Sequence, residues 1–249
     1  MLHGSNLNAP LSGVRPDPTV GNLTNIESSA YTSVHRLMVG VGPAQFSKSG
    51  FFWNVNYLFM RNTNEADSPF SLPSNNFNLR ADRGPSASDF HHLISAFVNK
   101  RLTTGFAASA ILQVTSALPY NITTGFDDNK DTVINDRPLG VKRNSGRGAS
   151  RWEIGSRFSW GKDFGPKQQA TGGPQIRMVR IGAAEGAAPP SIGMGGTKKY
   201  HLEFYAQAFN LLNHTNLGVF NGVQTSPYFG QATSAQGPRR LEIGTRFNF

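Results

Sequence analysis

Between residues 51 and 59 every second position is large and apolar, Phe51, Trp53, Val55, Tyr57 and Phe59, with Asn54 and Asn56 among the positions between them. Such period-two alternation puts the apolar residues on one face of an extended strand. The pattern returns at Phe106, Ala108, Ala110, Leu112 and Val114, with Ser109, Gln113 and Thr115 on the opposite face. It returns again at Trp152, Ile154, Phe158 and Trp160, against Glu153, Arg157 and Ser159. Tyr200, Leu202, Phe204, Ala206 and Ala208 alternate with His201, Glu203, Tyr205 and Gln207, and Leu241, Ile243, Phe247 and Phe249 with Glu242, Gly244, Arg246 and Asn248. Weaker alternation at 32–42 and 89–101 brings the expected strands to seven. Alternation over about ten residues suits a tilted strand crossing a bilayer, one face on lipid and the other on a wet lumen, whereas soluble sandwich strands usually run about 5–6 residues. Tyr57, Phe59, Tyr120, Trp160, Tyr200 and Phe249, near strand ends, suit interfacial aromatic girdles.

The links between strands carry a second pattern. Residues 43–50 and 102–104 are short, whereas 62–88, 119–150 and 213–238 are long, polar and rich in Asn, Ser, Gly and Pro. Counting back from a periplasmic C-terminus puts all three long links outside and both short ones inside, as in outer-membrane barrels. The link 161–198 breaks the rule and is expected to hold a short extra strand around Ile176–Ile181 or to form a loose excursion. Residues 1–30 read as a polar loop or partial strand, and 31–249 as barrel wall. Seven strands cannot close a barrel of the usual even count, so strands from a preceding portion are expected. One miscounted strand would leave a small eight-stranded barrel.

Composition narrows the classes. Charged residues are only 16%, aromatics 11%, and there is no cysteine, which removes disulfides, thiolate metal sites and a cysteine nucleophile. No stretch reaches the ~18 apolar residues of a membrane helix, and the segment after Met1 has no basic region followed by an apolar core. The net charge of +9 would suit nucleic acid, but the aromatics sit on strands and do not interleave with basic residues as stacking platforms. The expectation is therefore all-β, an antiparallel transmembrane β-barrel segment of about seven to eight strands of a larger barrel, located in the cell outer membrane.

The final run Arg239 to Phe249, with Gly244, alternating apolar residues, Phe247 and terminal Phe249, resembles the C-terminal assembly signal of outer-membrane proteins. Residues 202–216, closing with Asn210-Leu211-Leu212-Asn213, resemble the penultimate-strand motif of TonB-dependent receptors. The run from Pro119-Tyr120-Asn121 through Asn135-Asp136-Arg137-Pro138 resembles the Oar-like subfamily, whose members carry a carboxypeptidase-regulatory-like domain. The resemblance implies a barrel of about 22 strands filled by a plug, taking up a ligand with energy from an inner-membrane complex. This chain would supply the last third of that wall, and the plug and TonB box would belong to the missing N-terminal part. Implied partners are outer-membrane lipid and lipopolysaccharide, the barrel assembly machinery, the missing strands and plug, and TonB through that part alone.

Local chemistry offers few sites. Asp127, Asn129 and Asp131 have the i, i+2, i+4 oxygen spacing of a calcium loop, with Val133 placed to offer a carbonyl. Position six is Thr132 where such loops need glycine, and no glutamate stands at position twelve, so a solvated loop held by Asx-turns is the plainer expectation. Otherwise no cofactor is expected. Arg137, Lys142, Arg143, Arg147 and Arg151 form a basic run that could meet lipopolysaccharide phosphates or simply be solvated. Glu153, Arg157, Glu203, Glu242 and Arg246 are expected to face the lumen, there to pair across strands, touch a plug or line a solute path. His91, His92 and His201 lack a carboxylate at metal-ligand spacing, and no hydrolase, metalloprotease or phosphate-loop motif appears, so enzymatic activity is not expected. The alternatives are a small closed barrel acting as adhesin or structural protein, and a soluble β-sandwich whose apolar faces share one core.

Overall fold

The computed structural model describes residues 3–6, 17–21, 23–102, 105–167 and 198–249. Twelve strands occur among them: β1 His3–Asn6, β2 Thr24–Glu27, β3 Thr32–Val41, β4 Phe51–Asn64, β5 Gly84–Pro85, β6 His92–Arg101, β7 Phe106–Thr115, β8 Pro119–Tyr120, β9 Gly146–Arg147, β10 Arg151–Lys167, β11 Lys198–Phe209 and β12 Arg240–Asn248. The described helical structure is one 3-10 turn, Leu79–Asp82. The seven long strands form one antiparallel sheet in the order β12-β11-β10-β7-β6-β4-β3, each beside its sequence neighbour, with β5 added to the far end of β4. β1 pairs with β2, and β8 with β9, as separate small ribbons. Among the described residues β3 and β12 each have a long partner on one side only.

All seven expected strands are present, but two run further than their alternation. β4 continues through Asn64, and the β10–β11 hairpin continues to Lys167 opposite Lys198, so part of the expected 161–198 link is strand. The extra strand expected around Ile176–Ile181 lies outside the described residues. At the tight β6–β7 turn, Gly105 has φ 88°, and a Cβ there would lie 2.2 Å from the Gly161 carbonyl oxygen. Only glycine takes that backbone shape without strain and lets β10 approach so closely.

The register carries one apolar face across the sheet. Val39, Tyr57 and Ile94 stand side by side, as do Ala96 and Leu112, Leu112 and Ile154, Trp160 and Phe204, and Leu202 and Phe247. This face is exposed: Val39 at 48% and Ile243 at 90%. The opposite face holds Ser95, Asn99, Ser109 and Arg157, all buried, with Asn99 at 6%. A sheet that buries asparagine and arginine while exposing valine and isoleucine has the reverse of the order water enforces. An apolar face this wide, over which no layer packs among the described residues, fits lipid as its solvent.

Aromatic rings mark the short-turn end of the apolar face. Phe106 stacks on Phe158 at 5.6 Å, Trp160 on Phe204 at 6.0 Å, and Phe164, Tyr200, Phe247 and Phe249 continue the row at 5.5–6.1 Å. At the other end the Tyr57 hydroxyl meets His92 Nδ1 at 2.8 Å, a pair of polar tips on an apolar strand face. Tyr120, expected in a girdle, lies instead in a long loop stacked on Phe220, because the strand before it ends at Thr115. Low on the inner face Phe52, Phe97 and Ile111 form a small apolar cluster, covered by Phe46 from the β3–β4 turn.

Candidate functional site

The inner face and the loops above it hold the chain's polar chemistry. On β10, β11 and β12 the register lines up Arg157, Gln207 and Glu242, and next to them Glu203 and Arg246. Arg157 donates from Nη2 to Glu203 Oε1 at 2.9 Å and from Nη1 to Gln207 Oε1 at 3.1 Å. Gln207 Nε2 donates to Glu242 Oε2 at 2.6 Å, and Arg246 Nη1 lies 3.7 Å from Glu203 Oε2. The Arg157 guanidinium lies 3.8 Å over the Tyr205 ring, and Tyr205 lies across Gly244, where a Cβ would be 2.5 Å from its hydroxyl oxygen. Thus Arg157, Glu203, Glu242 and Arg246 join one network, with Gly244 beneath it. Glu153 stands further along the same face of β10, opposite Gln113. The network also runs through Tyr205 and Gln207, which the alternation places on this face but which, being uncharged, were not among the residues singled out there.

The long loops form an interlocked layer at the other end of the sheet. Arg143 is buried and donates to the Asp82 carbonyl at 2.8 Å, to Asp67 Oδ2 at 2.5 Å and to the Asn64 carbonyl and side-chain oxygens. Arg137 pairs with Asp82 at 2.7 Å, and Arg147 with Asp89 at 2.7 Å. Three members of the basic run therefore bind the 65–91 loop to the 116–150 loop. Thr123 then joins the 210–239 loop, donating from its N–H to the Gly222 carbonyl and accepting from the Gln224 N–H, both at 2.9 Å. Burial opposes ionisation of Asp67, but the Ala87 N–H, the Arg143 guanidinium and the Asn64 and Asn144 amides outweigh it, holding its pKa below the ordinary carboxylate range.

Asp127, Asn129 and Asp131 are brought together, with most of their oxygens turned onto backbone N–H groups and Asp131 Oδ2 accepting from the Asn76 and Asn129 amides. Asp127 accepts from the N–H groups of Asp131 and Thr132, Asn129 Oδ1 from Asp131, and Asp131 Oδ1 from Val133, all at 2.9 Å. Lys130 and Thr132 take positive φ to fit these turns, 59° and 72°. Asp136 Oδ2 accepts from the Asp128 N–H at 2.7 Å. Burial raises the Asp131 pKa, and the charges of Asp127 and Asp136 add to it, against bonds from Val133 and Asn129. Among the described residues no three His, Asp or Glu side chains form a metal-holding group. Of the histidines, His91 lies 3.2 Å from Asp89 and His201 lies 2.6 Å from Asp163.

Between the loop layer and the upper inner face is a cleft of about 800 Å³. Leu93, Gln113 and Glu153 reach it from the strands, Tyr120 from the 116–150 loop, and Val219 and Phe220 from the 210–239 loop. Sequence reasoning did not find it, since its walls come from segments far apart in the chain.

A long-stranded antiparallel sheet with a lipid-facing apolar side, a polar inner side and long loops at one end defines a wall of an outer-membrane β-barrel. In agreement, the outer membrane beta barrel domain matches residues 3–242, and the chain belongs to that family. Its location is the cell outer membrane. No curated protein and no solved structure matches the chain.

Proposed function

We propose that this chain is one sector of the wall of a TonB-dependent, Oar-like receptor that takes up a ligand across the outer membrane. The open sheet carries the reading. Among the described residues edge strands β3 and β12 have a strand partner on one side only, and a sheet edge left unmet at hydrocarbon depth costs several kcal/mol for each backbone group, which calls for further strands. A large receptor barrel supplies such strands, and its plug gives the inner network of Arg157, Glu203 and Arg246 a surface to meet. The penultimate-strand segment 202–216 and the Asn135-Asp136-Arg137-Pro138 run support the same family. On this reading lipid and lipopolysaccharide surround the apolar face, the assembly machinery engages β12, and TonB acts through the plug-bearing portion. The role is transport, with no catalytic step, no nucleic acid and no cofactor.

The test is to recover from native outer membranes the species carrying this segment, with an antibody to residues 119–150, after in vivo cross-linking to TonB. The receptor reading expects a polypeptide or tight assembly much larger than 27.0 kDa that cross-links to TonB. A heat-modifiable monomer of this chain's own mass, with no TonB cross-link, would establish a small adhesin-like barrel in its place.

A further inference from the structure

The cleft under the long loops, about 800 Å³, falls in the size range of small-molecule sites. Its walls divide by chemistry. Leu93, Leu118, Leu217 and Val219 give it aliphatic surface, while Gln113 and Gln236 bring amides that both donate and accept. The charged lining residues are one of each sign, Arg151 and Glu153. The neighbouring basic run does not make the site cationic, because Arg137, Arg143 and Arg147 are already paired with Asp82, Asp67 and Asp89. A polyanion or anionic chelate therefore finds no excess of positive charge. Most of the cleft's aromatic rings are also occupied. Tyr120 and Phe220 stack at 5.8 Å, and Gly146 and Gly148 press so closely on them that a Cβ would lie 2.6 and 2.7 Å from ring atoms. Trp152 stacks on His214 at 4.3 Å, so three of the four rings that line the cleft already have a ring partner.

We infer that the cleft binds a short uncharged peptide with apolar side chains, the aliphatic wall taking the side chains and the glutamine amides pairing with peptide N–H and C=O groups. This rests on the receptor reading and names its substrate class. The receptor species from native outer membranes is titrated with a tripeptide of leucine and alanine blocked at both ends, following the fluorescence of Trp152, which lines the cleft. A linear trisaccharide and inorganic phosphate are titrated in parallel. Saturable peptide binding is expected, weakened about tenfold or more by Val219→Asp, which places a charge on the aliphatic wall at an exposed position, and also by Gln113→Leu. Peptide binding that is absent, or that neither substitution changes, overturns the inference, as does tighter binding of the trisaccharide or phosphate. These titrations need no energised membrane, so the TonB cross-link tests the receptor reading separately.

Discussion

At Gly244 a single missing methyl group decides how three strands meet. Tyr205 stands directly opposite in the register, its ring atoms and hydroxyl 2.5–3.0 Å from where a Cβ would be, and its ring supports the Arg157 guanidinium. Gly244→Ala should therefore destabilise the wall by about 1–3 kcal/mol through overpacking. The check is urea unfolding from lipid vesicles. Adding Tyr205→Ala should recover part of that loss; strictly additive losses would show that the ring is not the obstacle. In the loops, Asp67 and Asp131 respond to acid in opposite senses. The depressed pKa of Asp67 means that its contribution is complete above the unfolded-chain value and is lost as pH falls through the folded one. The raised pKa of Asp131 means that its ionised form opposes the fold, a penalty that is complete above its folded pKa and relieved as pH falls from there to the unfolded value. At neutral pH, Asp67→Asn should speed amide exchange in 65–91, whereas Asp131→Asn should leave 127–133 equally or better protected. Calcium-dependent protection of 127–133 that Asp131→Asn abolished would instead restore the calcium reading.

At the scale of a strand, what matters is which solvent each face meets. Leu112 lies on the apolar face between Ala96 and Ile154, and Gln113 is its neighbour on the polar face between Ser95 and Glu153. Leu112→Arg should cost about 2–4 kcal/mol of folding free energy in a bilayer, and Gln113→Arg much less, measured by folding into vesicles. Similar losses would show that both faces meet one solvent. The same alternation made the seven strands legible, because it is local and repeats every two residues. Strand ends were not legible where the chain leaves lipid: Arg61-Asn62-Thr63-Asn64 is polar on both faces, yet it continues β4 through Asn64. Nor was the loop layer legible, since the Arg143–Asp67 pair spans 76 residues and exists only once both loops have folded. In the sequence Arg143 was one of five basic residues with nothing to separate it from Lys142.

The whole wall is constrained by parity. In an antiparallel sheet of seven strands the first and last run in the same direction, so β3 and β12 point the same way. Joining them directly would make a parallel seam, and so would joining β12 of one copy to β3 of a second inserted in the same orientation. Antiparallel closure therefore needs an odd number of additional strands between them, which the receptor reading draws from the rest of a large barrel of even count. Hydrogen exchange can read the two edges, because alternate amides of an edge strand point away from its one partner. In the native outer-membrane species both sets of amides on β3 and β12 should be protected. In this chain inserted alone into vesicles, only the sets bonded to β4 and β11 should be. Full protection of both edges in the isolated chain at low protein-to-lipid ratio would mean that this chain closes on itself, by a parallel seam of β3 on β12 or by a further strand of its own, and the larger wall would then have no physical reason to exist.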